Sequence, residues 1–253
     1  MLITDVLNLS ETVEHDILSA RRATKAALQV SHAINQGVKP FCEVEMKPGV
    51  NVLAFDPTEL GLTKLDPQLE RCPILLGMQE ESTRGMSGIV ATLPLGSLTP
   101  QTDRCIGIMG MRDYTLEGAR TLVMSTEFVA TIRHEFIHLF DNFGGRISLK
   151  SIDSLDNAQY YNDTAEFNAF YHDMTDMLTS IASAAEHAES PKDYADLYGF
   201  TGDFNKDLRK MCDHDFHTKA FWKWLTDDRR KALLRRIYKL HKHVADLIRQ
   251  PSS

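Results

Sequence analysis

The stretch His134-Glu135-Phe136-Ile137-His138 is the most informative segment of this 253-residue chain. Its two histidines are four positions apart, so on an α-helix they lie on the same face, one turn from each other. Two imidazoles in this arrangement can bind one Zn²⁺, and the glutamate beside the first can accept a proton from the attacking water. The same five residues also occur by chance on exposed helices, so the flanking sequence has to distinguish a metal site from a solvated surface.

The flanking residues predict a buried helix around this motif. Ser125 and Thr126 are candidate N-caps, and Gly144-Gly145 predicts the end of the helix. Apolar residues fall on more than one side of the segment, which is typical of a helix packed between neighbours. They are Phe128, Val129, Ile132, Phe136, Ile137, Leu139, Phe140 and Phe143. Because buried polar side chains need partners, the polar residues of the motif within such a helix favour metal binding.

The composition is that of an ordinary globular chain and excludes several functional classes. It is 43% hydrophobic and 25% charged, with a net charge of −7 that argues against binding to nucleic acid or to anionic lipid. No apolar run is long enough for a membrane span, and the N-terminus lacks a classical signal peptide. The expected location is therefore the cytoplasm, or export without such a signal, for example into a host cell. Four cysteines without a C-x-x-C pair predict reduced thiols rather than a disulfide scaffold.

The order of predicted elements indicates an α+β fold within a single metalloprotease domain, 1–253. A helix is predicted over 11–35, and short apolar runs broken by proline and glycine then predict a small twisted sheet. The predicted strands cover 41–46, 50–55, 74–78, 88–93 and 105–111. From residue 114 the pattern is mostly helical, including amphipathic segments over 219–225 and 227–249. The domain divides into an N-terminal helix and sheet lobe, 1–113, and a helical lobe with the zinc site, 114–253. This order suits a zincin, in which an edge strand binds the substrate backbone. The segments 88–92 and 106–110 are candidates for that edge, although each taken singly is better explained as an ordinary strand of the sheet.

A catalytic zinc ion usually has three protein ligands, so the motif predicts a third residue downstream. Glu166 is the preferred candidate, in the first turn of a helix that Asn162, Asp163 or Thr164 would cap. The helix dipole favours a carboxylate at that position even without a metal, and this structural alternative stays open.

Other polar residues near the motif are weaker candidates for a role at the metal. Asp141 is either a carboxylate that orients a ligand or a surface charge near the helix end. His172 and His187 are alternative third ligands, although neither has the short spacing known for a third histidine. Tyr160 or Tyr161 could stabilise the oxyanion of a tetrahedral intermediate, but the two are equally well explained as packing aromatics.

Two segments together resemble the catalytic domain of anthrax lethal factor and the related Pro-Pro endopeptidases. The first is HEFIHLFD at 134–141, and the second is TAEFNAF at 164–170, preceded by two tyrosines at 160–161. The resemblance covers about forty residues, from 133 to 171. Effector metalloproteases that bacteria inject into host cells form a looser comparison group.

The resemblance implies a zincin fold, a bound Zn²⁺ and a defined set of site residues. The implied ligands are His134, His138 and Glu166, with Glu135 as general base and Tyr160 or Tyr161 on the oxyanion. The expected function is a zinc-dependent endopeptidase acting on a protein or peptide substrate, as a bacterial effector or toxin in a host cell. The alternative is a non-enzymatic interaction protein with a structural or vestigial zinc site, and a third hypothesis is a zinc amidase or deamidase. The sequence does not predict the oligomeric state.

Overall fold

The structure is a computed structural model of the chain. It describes residues 3–47, 50–78, 87–92, 104–111, 115–143, 156–186, 190–213 and 216–249. The chain forms two compact units, one comprising Arg22–Leu149 and the other Met1–Arg21 with Lys150–Ser253. The single domain expected from the sequence, with lobes 1–113 and 114–253, stays a prediction.

A five-stranded sheet is the main β element of the unit Arg22–Leu149. Its strands are β1 (Cys42–Lys47), β2 (Val50–Phe55), β3 (Ile74–Met78), β4 (Ser87–Thr92) and β5 (Arg104–Met111). All five predicted strands are confirmed, each within one residue of its predicted ends. Two short 3₁₀ turns, Leu62–Lys64 and Pro67–Arg71, lie between β2 and β3.

The order of the strands in the sheet is β1-β2-β3-β5-β4. Neighbouring strands are antiparallel except for β3 and β5, which are parallel. Because β5 pairs on both sides, the candidate segment 106–110 does not form an edge and is an ordinary strand of the sheet. Among the described strands β4 pairs with β5 alone, so the other candidate, 88–92, does lie at an edge of the sheet.

The central strands form a buried core covered by two helices. Ile74, Leu76, Ile106 and Ile108 are all 0% exposed, as expected for strands with near-continuous apolar runs. Helix α2 (Leu116–Val123) packs against β5, and helix α3 (Thr126–Phe143) packs against both β4 and β5. The edge strand β4 and the helix with the histidine motif are thus direct neighbours.

The first helix, α1, covers Ile3–Asn35 and begins earlier than the predicted residue 11. Its end is confirmed, and it depends on Gly37, which has a φ of +105°. The N–H groups of Gly37 and Val38 donate to the carbonyls of Ile34 and Ala33, each at 3.1 Å. A residue with a side chain would be strained at this φ, so glycine ends the helix here.

The described part of 150–253 is entirely helical in its regular structure. Its helices are α4 (Asn157–Asn162), α5 (Thr164–Met174), α6 (Asp176–Glu186), α7 (Pro191–Tyr198), α8 (Phe204–Asp213), α9 (Phe216–Trp224) and α10 (Asp227–Arg249). They surround one apolar core, in which Tyr171, Phe221, Leu233 and Leu240 are 0% exposed. The predicted helix 227–249 is confirmed at both ends.

The fold class expected from the sequence, α+β, is confirmed: the protein is mostly helical with one small sheet. Within the described residues, none of the helices is long and apolar enough to cross a membrane.

Candidate metal centre

Helix α3 begins directly after Ser125, whose side chain caps it. The Ser125 hydroxyl oxygen accepts a hydrogen bond from the backbone N–H of Phe128 at 3.0 Å. This bond satisfies one of the N–H groups left open at a helix start. Of the two cap candidates, Ser125 is therefore the N-cap, and Thr126 is the first helical residue. The predicted stop at Gly144-Gly145 lies outside the described residues.

The interior of α3 combines buried apolar side chains with an unusual number of buried polar ones. The buried polar side chains are Arg133, His134, Glu135, His138 and Asp141, none of them more than 9% exposed. Groups of this kind are stable away from water only when they are hydrogen-bonded, ion-paired or bound to a metal. Asp141 is only 4% exposed, so its interpretation as a surface charge at the helix end is wrong.

His134 and His138 present their rings to the same side of α3. The ring centroids lie 4.8 Å apart and the ring planes are inclined by 78°. This is the geometry expected for side chains separated by one helical turn. One nitrogen of each ring can therefore face a common ion.

Glu135 lies against the backbone of the edge strand β4. A β-carbon added to Gly88 would lie 2.6 Å from both Cγ and Oε1 of Glu135, and 2.9 Å from its Cδ. Carbon atoms in normal contact are about 3.5–4.0 Å apart. The space that Gly88 leaves open is thus occupied by the side chain that the sequence predicts to be the general base.

Glu166 lies in the first turn of α5 and is only 2% exposed. Asp163 is the N-cap of this helix, and its carboxylate accepts from the N–H of Ala165 at 2.8 Å. The backbone N–H of Asp163 donates to the carbonyls of Gln159 and Tyr160 in α4, at 3.0 and 3.1 Å. In a capping box a glutamate at the Glu166 position would bind that N–H. Since α4 already satisfies it, helix capping does not account for the burial of Glu166.

The three predicted ligands lie close together. The atoms through which His134, His138 and Glu166 could bind a metal all lie within 4.8 Å of one another. In a tetrahedral zinc site with bonds of about 2.1 Å, ligand atoms are about 3.4 Å apart, so small rotations of these side chains are sufficient for a common ion. Two imidazoles and a carboxylate are also donors that zinc commonly binds. His172 is not part of this group, and His187 lies outside the described residues.

Tyr160 and Tyr161 lie in α4 and form part of an aromatic cluster. Tyr161 is 8% exposed, with its ring 5.1 Å from that of Phe170 and 6.2 Å from that of Phe221. Tyr160 is half-buried, and its ring lies 5.0 Å from that of Tyr161. Tyr161 therefore has a packing role, and the assignment of either hydroxyl to the oxyanion stays a prediction.

A buried ion pair that the sequence did not indicate holds α5 in place. Asp16 of α1 accepts two hydrogen bonds from Arg236 of α10, from Nη2 at 2.6 Å and from Nε at 3.0 Å. Asp16 also accepts from the hydroxyl of Tyr171 at 2.8 Å, and Arg236 donates to the side-chain oxygen of Asn168 at 2.7 Å. The Arg236 guanidinium stacks on the Tyr171 ring at 3.6 Å. Asn168 and Tyr171 belong to the helix that carries Glu166, so this network fixes the position of that helix.

The charges of this network shift the pKa values of its members in opposite directions. Burial opposes ionisation of Asp16, but the hydrogen bonds and charge of Arg236, with smaller contributions from His172 and Tyr171, outweigh it and lower the Asp16 pKa. Burial and then the negative charge of Asp16 raise the pKa of Tyr171 well above its usual value. Asp16 is therefore an anion and Tyr171 a neutral donor at neutral pH.

The buried carboxylate of Asp207 has a structural role. It is 0% exposed and accepts from the backbone N–H groups of Thr201 and Gly202 at 3.0 and 3.1 Å. It also bonds to the Thr201 hydroxyl at 2.9 Å and to the ring of His241 at 2.9 Å. The histidine and the hydroxyl both bind the carboxylate rather than each other, so these groups do not form a nucleophile–base pair. Asp207 instead stabilises the turn that precedes α8.

Comparisons with protein-family models, with curated proteins and with solved structures found no match for this chain.

Proposed function

We propose that this protein is a zinc-dependent endopeptidase that cleaves a protein or peptide substrate. The observation that supports it best is the grouping of His134, His138 and Glu166, whose ligand atoms lie within 4.8 Å of one another. These residues would hold the zinc ion, and Glu135, adjacent to the first ligand, would act as the general base. Their buried setting favours the proposal because polar groups of this kind are stable there when bound to a metal.

The residues of the chain have distinct roles in this mechanism. Zinc, when bound, supplies the Lewis acidity that lowers the pKa of water and polarises the scissile carbonyl. Glu135 would accept the proton of the attacking water and deliver it to the leaving amine. Tyr160 or Tyr161 would donate a hydrogen bond to the oxyanion of the tetrahedral intermediate.

The edge position of β4 supports a peptide as the substrate. A strand with an open side can bind an extended peptide through backbone hydrogen bonds. Helix α3 packs against β4, and Glu135 lies beside Gly88, so a peptide added at this edge would pass close to the proposed base. The resemblance to bacterial effector metalloproteases extends the proposal to a host-cell protein as substrate.

The decisive experiment combines metal analysis with a proteolysis assay. The wild-type protein should bind about one zinc ion per chain, and a chelator should abolish its activity on a panel of protein substrates. Glu135→Gln should keep the zinc and lose about 10²–10⁴-fold in activity. His134→Ala should lose both, whereas His32→Ala, at an exposed position in α1, should change neither.

Two outcomes would contradict the proposal. The first is a wild-type protein without zinc, and the second is full activity in the Glu135→Gln variant. Bound zinc without cleavage of any protein would instead favour the non-enzymatic alternative, in which the zinc is structural. Release of ammonia without chain cleavage, detected by mass spectrometry of the substrate, would favour a deamidase.

A further inference from the structure

Gly88 has a spatial relationship to Glu135 that the proposed mechanism does not use. It lies in the edge strand β4, paired with Ile108 of β5. A β-carbon at this position would lie 2.6 Å from Cγ of Glu135 and 2.6 Å from its Oε1. The near part of the Glu135 side chain and its carboxylate would both be displaced.

The requirement for glycine here comes from Glu135 and not from the backbone. The φ of Gly88 lies outside the left-handed region that favours glycine, so alanine could adopt the backbone conformation. Cγ is the second atom of the Glu135 side chain and cannot avoid a new methyl group by rotation at the far end of the side chain. The contact can be relieved by rotation near the root of the side chain, which moves the carboxylate by about 1 Å, or by displacement of β4.

We infer that Gly88 is a positioning residue for Glu135. Its missing side chain lets the Glu135 carboxylate lie against the edge strand, and this close packing restricts the rotamers that the carboxylate can adopt. The role in catalysis rests on the proposed function, whereas the steric coupling between the two residues does not. The two can therefore be tested separately.

The coupling is tested by comparing the thermal stability of the wild type, the single variants Gly88→Ala, Glu135→Gln and Glu135→Ala, and the two double variants that combine Gly88→Ala with each change at Glu135. Gly88→Ala alone should lower the Tm by roughly 3–10 °C, as expected when a methyl group is forced into a packed site. In the Glu135→Gln background the loss should persist, because glutamine has the same shape as glutamate. In the Glu135→Ala background, which lacks Cγ and the carboxylate, Gly88→Ala should change the Tm by no more than about 1 °C. If Gly88→Ala does not fold, the same background should restore folding.

An equal loss of stability in the Glu135→Ala background would overturn the inference, because the methyl group would then conflict with something else. So would the absence of any loss when Glu135 is present. Neither result depends on whether the protein is a peptidase.

The positioning role is tested by kinetics and zinc content together. Gly88→Ala should lower kcat by about 10²-fold, since a displacement of about 1 Å of a catalytic group has an effect of this size. KM and zinc content should remain within twofold of the wild-type values, and the residual activity should show a shifted pH profile. Unchanged kcat in a folded Gly88→Ala variant would refute the positioning role. An inactive wild-type protein would refute the proposed function. The comparison of Tm values among the variants would still decide whether Gly88 and Glu135 are sterically coupled.

Discussion

Replacement of Asp16 by asparagine should destabilise the protein by about 3 kcal/mol, the lower end of the range for breaking a buried ion pair. Asparagine has the shape of aspartate but presents an N–H₂ group where one carboxylate oxygen accepts from Arg236. An amide oxygen in the position of Oδ2 can still accept from Arg236 Nε at 3.0 Å and from the Tyr171 hydroxyl at 2.8 Å. The bond at 2.6 Å from Nη2 of Arg236 to Oδ1 is lost together with the negative charge, and two donor groups then face each other. Arg236 is 23% exposed and keeps its bond to Asn168, so water and this amide reduce the cost of the unpaired charge.

The measurement is urea unfolding followed by circular dichroism, with a thermal scan as a second probe. A loss of about 3 kcal/mol corresponds to a decrease in Tm of roughly 6–12 °C for a chain of this size. The matched control is Asp246→Asn, which removes the surface pair with Lys242 in α10 and should not measurably change stability. A loss below about 1 kcal/mol for Asp16→Asn, with an unchanged m-value, would refute the conclusion that this network holds α1, α5 and α10 together.

The difference between wild type and Asp16→Asn should also depend on pH. The Asp16 pKa is lower in the folded protein than its usual value of 3.8. The stability supplied by the ionised carboxylate is therefore fully present above about pH 4 and is lost as the pH falls through the folded pKa. The difference in unfolding free energy should stay constant from pH 8 to about pH 5 and narrow below pH 4. A difference that grew on acidification would contradict this assignment.

Three further predictions concern the site and the helical unit. If Tyr160 or Tyr161 donates to the oxyanion, its replacement by phenylalanine should lower kcat by about 10²–10³-fold while zinc is retained. An unchanged kcat in both Tyr160→Phe and Tyr161→Phe would exclude this role. The pKa of Cys212 is raised to about 11, mainly by burial and further by the charge of a neighbouring aspartate. At pH 8 this thiol should therefore have about 100-fold less thiolate than a thiol of pKa 9. Alkylation followed by mass spectrometry should accordingly find it slow in the folded protein and fast in urea. Asp207→Ala should destabilise the protein by about 3 kcal/mol because it removes the partner of the buried His241 ring and the acceptor for the backbone N–H groups of Thr201 and Gly202. A change below about 1 kcal/mol by urea unfolding would contradict the structural role.

Local patterns in the sequence predicted the helices and strands well, and they singled out three residues that the structure brings close together. The i, i+4 spacing of His134 and His138 determines their common face once the segment is helical, and Ser125 and Asp163 mark helix starts by their side-chain chemistry. The strands were predictable because proline and glycine interrupt short apolar runs. The position of Glu166 in the first turn of a helix was predictable from the cap residues before it, whereas its role as a third ligand stays a prediction.

Non-local relationships were not predictable from one sequence. Asp16 and Arg236 are 220 positions apart, and no local pattern connects them. The insertion of β5 between β3 and β4 is likewise decided by pairing over a long stretch of chain, which periodicity does not encode. Gly88 looked like an ordinary strand glycine because the atom it makes room for belongs to another element.

The mixed strand order has a consequence for the way the sheet opens. It joins two antiparallel groups, β1-β2-β3 and β5-β4, through the single parallel pairing of β3 with β5. Parallel pairing is slightly less stable per residue, and its partners are separated by a longer connection than β4 and β5 are. Sub-global fluctuations of the native state should therefore separate β4 and β5 from the rest as one unit. In hydrogen-exchange measurements their amides should exchange together and earlier than those shared by β2 and β3. Because α3 packs against both of these strands, Gly88 and Glu135 would stay together in such an opening, and the placement of the base would not depend on the pairing of β3 with β5.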